Sequence, residues 1–210
     1  MLVALSGPAI AEPPAEQPLE LRLELDPRLG MEAGTTAFTT AARLALRGGD
    51  GLLLRAEPGL TPVTSILARI GAGLAVDAPI AIAGVVLPHE IFGHGGRARD
   101  AGFDVAYELT LPPPYGWLFG GKVGNSATWQ IGDQPEPTLD ERALYVLGGL
   151  EVQNLQQHDL AFTAFRARKL ARGDALLYLT ASIEVTAYTA RSSGDIEGYY
   201  AHIENRYLAN

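Results

Sequence analysis

Long apolar stretches separated by short polar breaks dominate the chain, and most of them have the length of helices. Residues 32–47 repeat Ala, Leu and Arg, which predicts a helix that stops at the glycine-rich turn 48–51. Residues 61–87 are almost continuously apolar, and we expect a buried pair of core helices there. The alternative is a single membrane span over 70–87, although Asp77 inside it is costly in lipid.

The C-terminal third also has a helical pattern. Thr138 precedes Glu141 by three residues, a capping box that predicts a helix running to about Arg168. Two further helices are predicted over residues 175–190 and 196–208, the second of them amphipathic and rich in tyrosine. This third of the chain is therefore expected to form a helical bundle.

Strand patterns are short and few. Residues 19–25 alternate strictly between apolar and charged positions, and weaker strand signals occur at 103–111 and 127–131. The last two lie in a glycine- and proline-rich excursion, residues 95–137, between two helical regions. The expected fold is mainly α, with a long irregular loop region and a few short strands.

The N-terminus has features of an export signal. Leu2 to Ala11 is a short apolar stretch that ends in the small-x-small pattern of a cleavage site, although no basic residue precedes it. We expect residues 1–18 to be a remnant signal peptide and linker, and 19–210 to be one domain. The helical pattern persists to Asn210, which is consistent with a chain truncated at its C-terminus. The protein is thus expected to be exported, periplasmic or membrane-associated.

Composition narrows the possible functions. Apolar residues make up 47% of the 210 positions, and charged residues only 19%, below the usual ~25%, which leaves membrane association open. The net charge of -8 and the lack of a basic stripe exclude nucleic acid as a partner. Because the chain has no cysteine, a transition metal would have to be held by His, Asp or Glu.

Candidate chemistry is concentrated in residues 89–94, which read HEIFGH. His89 and His94 could hold a metal ion, and Glu90 could take a proton from an attacking water. On an ideal α-helix, five residues turn the chain through about 500°, which leaves the two imidazoles about 140° apart. The motif therefore works only if the helix is widened by a π-bulge, which Gly93 would ease because it lacks a Cβ.

A third ligand is expected from a later helix, because catalytic zinc usually has three protein ligands. Glu151 is the best candidate, since Gly148 and Gly149 beside it would let its helix approach closely. Asn154 and His158 share its helical face, and His158 is a competing ligand. The alternative for this polar stripe is a solvent-exposed helix face.

Residues 89–95 resemble the HExxGH motif of the dipeptidyl-peptidase III family of zinc peptidases, which points to a gluzincin-like site. The resemblance covers about seven residues, and the paired glutamates of that family are absent around Glu151. It implies a helical metallopeptidase-like domain in which His89, His94 and Glu151 hold Zn²⁺ and Glu90 is the general base. Four side chains could stabilise the transition state: Tyr107, Tyr115, Arg97 and His158.

The sequence thus predicts a zinc-dependent metallohydrolase, a peptidase with a peptide or protein substrate. One alternative is a non-catalytic membrane or envelope protein with a structural metal site. A second is a membrane-embedded fragment whose polar residues line a conduit. The oligomeric state is left open.

Overall fold

A computed structural model describes residues 26–28, 30–56, 59–110, 115–118, 125–133, 135–190 and 195–208, and it is mainly α-helical. The strand predicted at 19–25 and the signal and linker predicted at 1–18 lie outside the described residues. The helices are α1 (Met31–Ala56), α2 (Pro62–Ala72), α3 (Ala78–Pro88), α4 (Gly95–Asp100), α5 (Tyr115–Leu118), α6 (Leu139–Ala167), α7 (Arg172–Ala190) and α8 (Asp195–Leu208).

One continuous helix, Pro62–Asp100, runs through the middle of the fold, and we call it the central helix. It comprises α2, a π-turn over Gly73–Asp77, α3, a second π-turn over His89–His94, and α4. The predicted pair of core helices is therefore wrong: neither Pro79 nor Pro88 ends the helix. This helix is long and apolar enough to cross a membrane, and 22% of its most apolar window is buried.

The two interior prolines are tolerated for different local reasons. A proline ring clashes with the carbonyl four residues earlier and leaves that carbonyl without its N–H donor. For Pro79 that carbonyl belongs to Ala75, inside the first π-turn, where the wider turn relieves the clash. For Pro88 it belongs to Gly84, whose oxygen accepts a hydrogen bond from Nε2 of Gln156 at 2.8 Å. A side chain far along the chain thus replaces the missing donor.

Helix α1 continues to Ala56, so the turn predicted at 48–51 is also wrong. Interior glycines weaken a helix by only about 1 kcal/mol each, and tertiary contacts offset this. The carboxylate of Asp50 forms a 2.7 Å ion pair with the guanidinium of Arg172, at the start of α7. Gly49 faces Asp77, and a Cβ on this glycine would lie 3.6 Å from the carboxylate.

The apolar core lies where α1, α3, α6 and α7 meet. Its buried members are Ala42, Leu46, Ala81, Val85, Leu160, Leu177 and Ala181. At one end of this core, Arg43 donates to both carboxylate oxygens of Asp174 at 2.9 and 3.0 Å, and both side chains are buried. A paired, bidentate geometry is what makes burial of two charges tolerable.

The other predicted elements lie close to their expected positions. The capping box of Thr138 and Glu141 is confirmed, and its hydrogen bonds from Thr138 lower the pKa of the exposed Glu141 carboxyl. Helix α6 ends at Arg168, in a left-handed conformation. Strands β1 (Asp104–Glu108) and β2 (Ser126–Gln130) pair antiparallel inside the predicted loop excursion. The mainly α fold with few short strands is thus confirmed.

Candidate metal centre

The two motif histidines meet on a widened helical turn. Residues His89–His94 form a π-helix, in which the N–H of Gly95 reaches back five residues to the carbonyl of Glu90. The Nε2 atoms of His89 and His94 are 3.2 Å apart, and the two rings meet edge to face. The predicted widening of the helix at this motif is therefore confirmed, and with it the convergence of the two imidazoles.

The ring of His94 is oriented by a backbone group. Its Nδ1 lies 2.7 Å from the carbonyl oxygen of Tyr145, on α6. Because a carbonyl oxygen only accepts hydrogen bonds, Nδ1 must carry a proton, and in the neutral ring Nε2 is then the unprotonated atom. Such a contact is the usual second-shell support of a metal-binding histidine, since it fixes the tautomer and aims the free nitrogen.

The histidine geometry fits a zinc ion. Two nitrogens bound to one tetrahedral zinc at about 2.05 Å are about 3.3 Å apart, close to the observed separation. The same distance also fits a direct hydrogen bond from Nε2 of His89 to Nε2 of His94. In both cases His94 presents a lone pair, and only the proton on His89 Nε2 differs.

Three glycines bring α6 against the π-turn. A Cβ on Gly93 would lie 2.7 Å from the Gly148 carbonyl oxygen, and a Cβ on Gly149 would lie 2.3 Å from the His89 ring. Real Cβ atoms do not approach other atoms so closely, so only glycine fits at these positions. The close approach expected from Gly148 and Gly149 is confirmed. Gly93 is needed for this contact between helices as well as for the widened turn.

The opposite side of the π-turn is held by α1 and by two polar side chains. Phe92 packs so tightly over Gly34 that a Cβ there would lie 2.2 Å from its ring. The carbonyl of Ile91, inside the turn, accepts hydrogen bonds from the Arg99 guanidinium at 3.0 Å and from the Tyr107 hydroxyl at 3.4 Å. Such donors stabilise a carbonyl whose backbone hydrogen bond is poorly formed in the irregular turn.

The β-hairpin reaches the site through an aromatic stack. Trp129 on β2 lies flat against Tyr145 at a centroid distance of 4.4 Å, and Tyr145 lies 5.1 Å from the His94 ring. The hydroxyl of Tyr145 also donates to the backbone carbonyl of Ala127. The hairpin therefore fixes the residue whose carbonyl orients His94.

Glu90 lies in the same turn and is buried. Its exposed fraction is 4%, against 2% for His89 and 6% for His94. A buried carboxylate that adjoins a histidine in the sequence is a candidate general base. All three motif residues are thus enclosed by the protein.

Glu151, the predicted third ligand, pairs with Arg97. Its Oε2 accepts hydrogen bonds from the Arg97 guanidinium at 2.8 and 2.6 Å. Within the described ranges, no three His, Asp or Glu side chains stand close enough together to hold a metal. Coordination by Glu151 would therefore require its side chain to leave Arg97, and its assignment as a ligand stays a prediction.

The other candidates are scattered. Asn154 and His158 are exposed on α6, which favours the solvent-exposed interpretation of that polar stripe. Tyr107 lies beside the π-turn, where a Cβ on Gly95 would be 2.1 Å from its hydroxyl oxygen. Tyr115 instead donates to the carbonyl of Leu74, 15 residues before His89 and thus about 22 Å along the central helix. Of the predicted transition-state stabilisers, Tyr107 is therefore the best placed.

Two residues of the site had no recognisable signal in the sequence. Tyr145 acts through its backbone carbonyl, which every residue possesses, so only the packing of α6 reveals it. Arg99 belongs to the short basic run after the motif, and its bond to the Ile91 carbonyl depends on the fold of the π-turn. Comparison with known proteins finds no matching family model, curated protein or solved structure. The histidine pair and its surroundings are therefore the basis for assigning a function.

Proposed function

We propose that the protein is a zinc-dependent metallohydrolase, with peptide bonds as its substrate. One observation supports the proposal most: two imidazole Nε2 atoms stand 3.2 Å apart on a π-turn, with a buried glutamate between them in sequence. A π-turn is an uncommon distortion that recurs at functional sites. Here it converts a spacing that an α-helix would separate into a two-nitrogen site.

In this proposal each residue has a defined role. His89 and His94 hold the zinc ion, and Glu151 completes the site after it separates from Arg97. Zinc held there would act as a Lewis acid on the scissile carbonyl. Glu90 would take the proton from the attacking water and return it to the leaving amine. The Tyr107 hydroxyl, once it leaves the Ile91 carbonyl, would donate a hydrogen bond to the developing oxyanion.

The apolar stretch near the N-terminus supports export, and we propose that the enzyme works in the periplasm or at a membrane surface. A peptide or protein in that compartment would be its substrate.

One observation favours a structural metal site in a non-catalytic envelope protein instead. His89, Glu90 and His94 are all at least nine-tenths buried, and structural zinc sites are closed, whereas catalytic ones keep an open position. A structural site has no use for a base, however, so the two candidates differ in what Glu90 does.

Zinc content measured by elemental analysis tests the metal site. The parent protein should contain one zinc per chain and the His94→Ala variant should contain almost none. His202→Ala removes a histidine of α8 and serves as the matched control, with zinc content equal to the parent. Equal zinc in the parent and in His94→Ala, or none in either, would sink the proposal.

Catalysis is then tested with Glu90→Gln, which keeps the shape of the side chain and removes its basicity. Digests of a synthetic peptide mixture, analysed by mass spectrometry, should show cleavage by the parent and a loss of at least a hundredfold in the variant. Zinc content should not change. Zinc binding without any cleavage by the parent would favour the structural site.

A further inference from the structure

The N-terminal part of the central helix is unusually exposed to solvent. Helix α2 has no buried residue, and its apolar side chains at 63, 66, 67 and 70 are each more than half exposed. With Leu74 in the first π-turn they follow the i, i+3, i+4, i+7, i+11 spacing of a single helical face. Ser65, Ala68 and Ala72 are the less exposed positions, so the apolar stripe points away from the body of the protein.

The end of α1 continues this apolar surface. Leu52 and Leu54, near the end of α1, are exposed by more than half, and α2 is the next helix along the chain. We call the described residues 51–56 and 60–74 the apolar hairpin. Its two cations, Arg55 and Arg69, lie outside the α2 stripe, and both carry long flexible stems.

A second exposed surface combines aromatic, apolar and basic residues at the junction of α6 and α7. Phe162, Phe165 and Leu170 are all more than half exposed, and Phe165 reaches 82%. Interleaved with them are the exposed cations Arg166, Arg168 and Lys169. The Arg166 guanidinium lies 5.8 Å over the Phe162 ring. We call residues 162–170 the basic corner.

Arg172 connects the two surfaces. It pairs with Asp50 at the base of the hairpin and with Asp77 at the end of the first π-turn. The start of α7, directly after the basic corner, therefore lies next to the base of the apolar hairpin, and we treat the two surfaces together as one patch. Monomeric soluble proteins rarely expose an apolar patch of this extent unless it binds something.

We propose that the apolar hairpin and the basic corner dock the protein onto an anionic lipid bilayer, with the hairpin lying in the membrane interface. Interfacial helices bury one apolar face to a depth of about 5–10 Å and keep cations at the level of the headgroups. Arg55, which is exposed, has a stem long enough to extend along the hairpin to that level. The basic corner attracts anionic headgroups locally although the whole chain has a net charge of -8.

Two other occupants fit the patch less well. A two-fold contact with a second copy would make the patch meet itself, which supplies no acidic partner for the basic corner. A span through the bilayer would expose the following part of the central helix to lipid. Ala81, Gly84, Val85 and Pro88 are instead buried in the helical bundle.

Co-sedimentation with lipid vesicles tests the docking surface, and it needs neither metal nor substrate. The full chain should bind vesicles that contain phosphatidylglycerol at least tenfold more tightly than vesicles of phosphatidylcholine alone. Leu67→Glu should weaken binding to both at least tenfold. Leu208→Glu alters a leucine on α8 that is even more exposed and is the matched control, with binding equal to the parent.

A second variant tests the charges. Arg168→Asn keeps a residue that tolerates the left-handed backbone, and with Lys169→Gln it removes two cations from the basic corner. About fivefold weaker binding per charge is expected on anionic vesicles, with no change on neutral ones. Arg142→Gln, at the other end of α6, should bind like the parent. An equal loss on both vesicle types would contradict the role of the corner.

Three outcomes would overturn the proposal. The parent could stay in the supernatant with both kinds of vesicle. Bound protein could resist extraction with alkaline carbonate, which would indicate a span. Light scattering could detect a stable dimer without lipid that Leu67→Glu dissociates, which would assign the patch to a second copy. Each result is independent of zinc content, so the docking surface and the metal site succeed or fail separately.

Discussion

The Nε2 atoms of His89 and His94 lie 3.2 Å apart although the two residues are five positions apart in sequence. An α-helix would leave the rings on different faces, and the π-turn over His89–His94 removes that mismatch. The hydrogen bond from His94 Nδ1 to the Tyr145 carbonyl then leaves the Nε2 atom of the neutral His94 ring with a lone pair. A distorted backbone and one contact between helices thus suffice to create a two-nitrogen site.

Zinc binding should change which ring nitrogen of His89 carries a proton and leave His94 unchanged. Without metal, His94 carries its proton on Nδ1, and the short Nε2–Nε2 contact requires His89 to carry its proton on Nε2. Zinc would displace the second proton, so His89 should change to the Nδ1–H tautomer while His94 stays unchanged. Long-range ¹H–¹⁵N correlation spectra, recorded with and without zinc, would distinguish the two. A tautomer change at His94 would contradict the assignment.

Gly149→Ala should damage the site through packing. The new Cβ would lie 2.3 Å from the His89 ring, so either the ring or α6 must move. Overpacking of this kind costs about 1–3 kcal/mol. We expect the free energy of unfolding in urea to fall by that amount and zinc affinity to fall with it.

The matched control for this change is Gly71→Ala, which is also a helical glycine. A Cβ at this position would have no other atom within 4 Å, so the replacement should raise the free energy of unfolding by about 0.5–1 kcal/mol. The two substitutions are thus expected to have opposite signs. A destabilisation of the same size in both would mean that the contact with His89 is not the cause.

The Arg97–Glu151 ion pair allows a test of the third ligand. If Glu151 completes the zinc site, Glu151→Gln should weaken zinc binding at least tenfold, whereas Arg97→Gln should strengthen it by releasing the carboxylate. Asp100→Asn serves as the control, because Asp100 lies 4.0 Å from the other side of Arg97. Isothermal titration of the metal-free proteins gives the affinities. Unchanged affinity in Glu151→Gln would restrict Glu151 to its ion pair.

The widened turn could be predicted because its requirement is local. Two histidines at i and i+5 can meet on a helix only if the turn between them is widened, so the requirement for convergence predicts the backbone distortion. The close approach of α6 was also readable, since Gly148 and Gly149 leave room for a neighbour. The ion pair of Glu151 could not be predicted, because a carboxylate that could bind a metal could equally bind any nearby guanidinium. Only the three-dimensional structure shows that Arg97 is that guanidinium.

The same limit explains the errors in the helices. Gly48–Gly51 and the prolines at 79 and 88 are signals that usually end a helix, so sequence rules predict helix ends there. Asp50 pairs with Arg172, which stabilises the helix at Gly48–Gly51, and Gln156 donates to Gly84, which replaces the donor that Pro88 lacks. In both cases the partner is more than 70 residues away in the sequence. Such compensation is invisible until the partners are placed in space.

The bond from Gln156 to Gly84 should be coupled energetically to Pro88. Nε2 of Gln156 supplies the donor that Pro88 lacks, and it also donates to the Thr39 hydroxyl at 3.0 Å. Gln156→Leu leaves the buried Gly84 carbonyl without a donor, so we expect a loss of about 1–3 kcal/mol in the free energy of unfolding. In a Pro88→Ala background, the restored N–H can bond that carbonyl and the loss should be about 1 kcal/mol smaller.

Urea unfolding of the parent, both single variants and the double variant measures this coupling as a double-mutant cycle. Residues that act independently give additive changes within about 0.5 kcal/mol. Additivity within that limit would mean that Gln156 does not compensate for the proline. A coupling of about 1 kcal/mol would show that this glutamine lets the helix pass through Pro88, which directly precedes the π-turn and its two histidines.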